Sequence, residues 1–204
     1  MRAFLVGLVS GLVALVGFAG SANASATVDL LWAATGTNSI TGVSTSSNIV
    51  LNVVLTAGAN GSAGGGVSVD YSLIAGDFSV ISALNYPAAP LNQSFGAPVI
   101  TATQVQNIQA FAFPPGPAGI TAGQSFLMGT ITFHVDSVPL GTLSISSLIV
   151  GTDALSDGNF VDITGASTFN SAQVNPVPEP GTISLLGMGL GGLYVVGRRS
   201  GRKR

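Results

Sequence analysis

The sequence predicts an all-β fold, a two-sheet β-sandwich or jelly roll. Three observations point there. Between Thr27 and Asn175 the apolar residues alternate with period two, clusters of Gly, Pro, Asn and Asp interrupt them at short intervals, and no segment of this stretch carries a 3.6-residue apolar stripe. A chain of 204 residues has room for one such core plus targeting segments at its ends.

The first element is a leader. Met1-Arg2-Ala3 is a short positive start, residues 4–19 form an uncharged apolar run, and residues 20–26 are mostly small. That order is a secretory signal peptide, so residues 1–26 are assigned to a signal helix removed by signal peptidase. Ala22-Asn23-Ala24 and Ala24-Ser25-Ala26 both have small-x-small spacing, which makes Ala24 and Ala26 the candidate cleavage residues. The mature chain then begins at Ser25 or Thr27. An uncleaved anchor is disfavoured because two acceptable sites follow the apolar run.

The body, residues 27–175, is expected to contain about nine short strands. The clearest alternations are Ile49, Leu51, Val53, Leu55; Val67, Val69, Tyr71, Leu73; and Ile131, Phe133, Val135 against Thr130, Thr132, His134 and Asp136. Further strands are expected at 28–32, 78–84, 97–103, 108–113, 124–128, 143–150 and 160–168. Asn60-Gly61, Gly76-Asp77, Tyr86-Pro87, Pro114-Pro115-Gly116, Pro139-Leu140-Gly141 and Asp157-Gly158 supply the turns between them.

Charge excludes several functions. All six basic residues lie at the ends, and from Ala3 to Gly197 there is no Lys or Arg, while the body carries seven aspartates. Such a surface cannot neutralise phosphates, so nucleic acid and anionic lipid surfaces are excluded as partners of the body. The absence of cysteine removes disulfides, thiolate ligands and a thiol nucleophile.

Little in the body suggests catalysis. His134 is the only histidine and shares a strand face with Thr130, Thr132 and Asp136, a pairing that could activate a nearby serine. The opposite face is apolar, which puts His134 on the solvent side, and no oxyanion motif is identifiable; no catalytic residue is assigned. Asp153, Asp157 and Asp162, with Asn159, form the densest acidic stretch. Oxygen ligands of this type suit calcium, but the spacing is not that of an EF-hand and Asp and Asn are common turn residues. Turn chemistry is the expectation, with no metal or cofactor. Glycan sites rely on exposed rings: Trp32 and Tyr71 follow core alternation, Tyr86, Phe111 and Phe113 adjoin prolines and are candidates for exposure, and Phe160 completes the set of rings considered.

Residues 123–135, Gly-Gln-Ser-Phe-Leu-Met-Gly-Thr-Ile-Thr-Phe-His-Val, followed by a glycine turn and another strand, resemble the late strands of cohesin-like and carbohydrate-binding sandwiches. That resemblance implies a cohesin-like sandwich and does not name a ligand.

The last elements are a linker at 176–182, an apolar helix at 183–197 and a basic tail at 198–204. The uncharged run of about 17 residues from Gly181 to Gly197 is just long enough to span a bilayer, and it is apolar all round the axis, unlike a buried amphipathic helix. Arg198, Arg199, Arg202, Lys203 and Arg204 hold the C-terminus in the cytoplasm and so place the body outside the inner membrane. Two prolines keep Glu179 on an extended, accessible segment, although proline-rich linkers also commonly precede membrane helices. Val177-Pro178-Glu179-Pro180, then the apolar run, then the basic terminus, resembles the PEP-CTERM sorting signal of Gram-negative bacteria. The resemblance implies that these four residues are recognised by a membrane-embedded sorting protease, the exosortase.

These features lead to one functional expectation: an exported, non-catalytic surface or extracellular-matrix protein, associated with exopolysaccharide. It is a single-pass inner-membrane precursor first, and a cell-surface or extracellular protein afterwards. A carbohydrate- or protein-binding module of cohesin-like type is the alternative; a secreted hydrolase ranks last.

Overall fold

The computed structural model describes residues 25–113, 119–137, 141–149, 154–175, 186 and 188. The predicted signal helix, the sorting linker and the basic tail lie outside the described residues, as do Ala24 and Asp153. Leu186 and Met188 are helical and exposed; among the described residues no helix is long and apolar enough to cross a membrane.

Among the described residues, twelve strands make two facing sheets. They are β1 (Ala26–Trp32), β2 (Ser39–Thr41), β3 (Asn48–Ala57), β4 (Gly64–Asp70), β5 (Phe78–Asn85), β6 (Val99–Ile100), β7 (Gln104–Phe111), β8 (Ser125–Val135), β9 (Leu143–Leu148), β10 (Leu155–Ser156), β11 (Thr168–Asn170) and β12 (Ala172–Asn175). One sheet runs β11-β1-β3-β8-β5 and the other β2-β12-β9-β4-β7-β6, with β10 paired to β4. The expected all-β sandwich is therefore the observed architecture.

Period-two burial explains why these segments are strands. Along β1, Ala26, Val28, Leu30 and Trp32 are buried and the residues between them are half-exposed; in β3, Leu51, Val53, Leu55 and Ala57 do the same. The side chains meet between the sheets around Phe133, whose ring lies 6.2 Å from Trp32, 5.8 Å from Tyr71 and 6.4 Å from Phe78, centroid to centroid. The polar handles of two of these rings are satisfied, as burial requires. Trp32 Nε1 donates to the Gln173 carbonyl at 2.9 Å, and the Tyr71 hydroxyl donates to the Thr101 carbonyl.

The chain closes by changing sheets. β11 pairs in parallel with β1, Thr27 opposite Thr168, and β12 then joins the other sheet between β2 and β9. Because β1 and the two last strands run the same way, Ala26 and Asn175 emerge at opposite ends of the sandwich.

Several expected elements are corrected. The segments 124–128 and 130–136 are one strand, β8, bulged opposite Val53 and Val54. Of 97–103 only Val99 and Ile100 are extended, and the strand expected at 108–113 starts earlier, at Gln104. Residues 160–168 are a turn followed by a 3-10 helix at Thr164–Ala166, because Phe160 takes a positive φ of 62° and Asp157 folds the chain back on itself. Leu73 is exposed because β4 ends at Asp70 and the chain turns there.

Candidate functional site

The most elaborated surface feature sits where β7 meets the connection from β5 to β6. Opposite Val67–Val69 of β4, the β7 register shifts, and Asn107 adopts φ 65°. A bulge of this kind re-aims side chains that would otherwise alternate regularly. Asn107 Nδ2 reaches the carbonyl of Ala97 at 3.1 Å, Asn85 Nδ2 that of Gly96 at 3.0 Å, and Gln109 Nε2 that of Phe95 at 3.1 Å. Three successive carbonyls thus each take a side-chain amide. Gln109 also donates to Asn107 Oδ1, its own backbone N–H is accepted by Asn85 Oδ1 at 3.0 Å, and its side chain is buried.

This amide clamp holds an aromatic ring in solvent. Phe95 is 65% exposed and Phe113 45% exposed, with Phe111 half-buried between them. The three centroids lie 5.3–6.3 Å apart with interplanar angles of 34–73°. An antiparallel pair of backbone bonds between Gln93 and Phe111, 2.9 and 3.0 Å, fixes the loop to the strand. The rings are therefore a compact, tilted cluster and not a flat strip.

Sequence reasoning named Phe111 and Phe113 but passed over Phe95 and the three amides. The signal available was an aromatic followed directly by Gly96-Ala97-Pro98, a turn in which a large side chain is readily displayed. Among the other rings, Trp32 and Tyr71 are core residues as expected, and Tyr86 and Phe160 are exposed singly.

Within the acidic stretch, Asp157 and Asp162 organise turns. Asp157 Oδ1 accepts the N–H groups of Asn159 and Val161, both at 2.9 Å, and Oδ2 takes Asn60 Nδ2 at 3.3 Å. These bonds, that from Val161 foremost, hold its carboxyl below the usual carboxylate range despite burial. Asp162 accepts the Thr164 N–H at 2.9 Å, and the Thr164 hydroxyl and N–H lower its pKa as well. Among the described residues no three His, Asp or Glu side chains come together as metal ligands. An open cleft of about 370 Å³ adjoins this turn, lined by Asn60, Thr121, Asn159 and glycine backbone.

His134 lies on the outer face of β8, half-buried, with Nδ1 2.8 Å from Asn48 Oδ1 on the neighbouring strand. The hydrogen-bonding partner of the ring Nδ1 is thus an amide.

Comparison with known proteins adds two findings. Residues 176–203 match the PEP-CTERM protein-sorting motif, which marks an exported chain that is membrane-anchored before processing by exosortase. The body has the fold of cohesins. It is similar to the third cohesin of ScaC from Acetivibrio cellulolyticus, solved with the ScaB dockerin, at TM-score 0.53 and 15% identity over 75% of this chain and 99% of that one. A type I cohesin from Clostridium thermocellum, also solved with a dockerin, gives 0.51 and 15% over 74% and 99%. The non-cellulosomal cohesin of Archaeoglobus fulgidus gives 0.51 and 11% over 79% and 97%. No curated protein sequence matches the chain.

Proposed function

We propose that this chain is the precursor of a non-catalytic extracellular protein, delivered by its sorting tail to the cell surface or to an exopolysaccharide matrix. The observation that supports this reading is a junction: β12 completes the sandwich at Asn175, and the matched sorting motif starts at the next residue, Pro176. The folded unit ends where the processing signal begins, so cleavage near Pro178-Glu179-Pro180 frees an intact body. Seven aspartates without a compensating Lys or Arg would repel an acidic polymer, so the matrix component suited to this body is a neutral one. The test replaces Pro178, Glu179 and Pro180 with Ala in a host that has the sorting enzyme. Fractionation and intact mass should find a full-length, membrane-bound form; release as efficient as that of the parent would remove the sorting assignment.

A second reading, a carbohydrate- or protein-binding module, is favoured by the clamped Phe95-Phe111-Phe113 cluster. Two of the cohesins of this fold were solved in complex with dockerins, and a protruding apolar anchor suits a partner protein's side chain. The tilt among the rings leaves no flat surface for a run of stacked sugars, so a polysaccharide would be held through one residue only. Replacing Phe95 with Ala separates the readings. Retention of the body on matrix from its host should be lost if the cluster is the contact and unchanged if the protein is only structural. Stability should move by less than about 0.5 kcal/mol because the ring is mostly in solvent.

A further inference from the structure

Two positions, after Ala24 and after Ala26, satisfy the spacing for leader removal, and the folded body distinguishes between them. Ala26 is the first residue of β1, 3% exposed, and pairs with Ala57 of β3. Its N–H donates to Ser167 Oγ at 3.2 Å, just before β11 begins. β1 has a partner on each side, β3 and β11, so its first residues do not lie on a free edge. Ser25 is seated as well. A Cβ added to Gly58 would fall 1.7 Å from the Ser25 carbonyl oxygen, so residue 58 has no side chain where the Ser25 backbone packs.

We infer that signal peptidase cuts between Ala24 and Ser25, and that the mature chain begins at Ser25. The inference rests on the reading of residues 1–26 as a cleaved leader. Water adds its hydroxyl to the Ala24 carbonyl carbon and a proton to the Ser25 nitrogen, which leaves a carboxylate on the leader and an ammonium on Ser25, one residue outside the strand. Cleavage after Ala26 would instead put the new ammonium on Thr27, between Thr56 and Thr168, and would delete a buried residue. A charge in that position loses solvation without gaining an anionic partner. Ser167 would also lose the donor that its hydroxyl accepts, and the surface beside Gly58 would be uncovered.

The experiment expresses the full chain with its own leader in a Gram-negative host and identifies the first residue of the processed protein by mass spectrometry. The expected start is Ser25. A start at Thr27 would overturn the inference while keeping the leader, whereas a chain still starting at Met1 would remove the leader reading itself. A second variant, Ala22→Phe, disables only the first site and lies outside the body. It leaves the site after Ala26, so its processed form should start at Thr27 and melt below the parent; a Thr27 start with the melting temperature of the parent would also overturn the inference.

Discussion

The Asp157 carboxylate closes a turn from the inside, with both of its oxygens bonded to neighbours and its side chain almost out of contact with water. Asp157→Ala leaves the N–H groups of Asn159 and Val161 without that acceptor, and the expected loss is about 2 kcal/mol in urea unfolding. The pH dependence has a defined sign. A carboxyl whose folded pKa lies below its ordinary 3.8 contributes its full stabilisation above that value and loses it as pH falls through the depressed one. The parent should therefore keep a constant unfolding midpoint down to about pH 4 and lose stability below it, and the Ala variant should lose less over the same range. At this scale the sequence was informative where chemistry is local. His134 could be placed on the solvent face from its apolar alternate neighbours, and Asp157 and Asp162 could be assigned to turns. Phe95 was not legible, because what displays it is three amides from two other strands.

Among the elements, β4 is the most constrained by backbone approach. Gly65 lies under β10, and a Cβ there would sit 2.1 Å from the Ala154 carbonyl oxygen and 2.8 Å from Leu155 Cα. Gly65→Ala must push β10 off the sheet, and the expected cost is at the top of the overpacking range, about 3 kcal/mol, measured as a fall in the thermal midpoint. Strands with regular alternation, such as β1 and β3, were readable almost to their ends. The errors have physical causes. Phe160, Val161 and Ile163 look like a strand by composition, but the first has a positive φ, the second is 58% exposed and only Ile163 reaches the core. β11 and β12 escaped notice because Thr-Phe-Asn and Ala-Gln-Val-Asn are too short and polar to show a period. The sheets that flank them decide their pairing.

For the molecule as a whole, the strand that follows the sheet change completes the core. Ala172 and Val174 are fully buried, and Gln173 supplies the acceptor for the Trp32 indole. A chain ended after Asn175 should fold as a soluble body with the thermal midpoint of the processed protein. One ended after Ser167, lacking β11 and β12, should fail to give a cooperative transition by circular dichroism. Fold class and the sorting tail were legible because each depends on a repeated or ordered pattern; the amide clamp was not, since it exists only once β5, β7 and the loop between them have assembled. The shared direction of the first and last strands also sets apart the two ends of the body. Phe111 is level with Gly64, at the end where β1 begins, and Asn175 lies at the other end. At a rise of about 3.3 Å per strand residue, the aromatic cluster and the residue that precedes the sorting motif stand about 30 Å apart, so removing the motif and occupying the cluster do not obstruct each other.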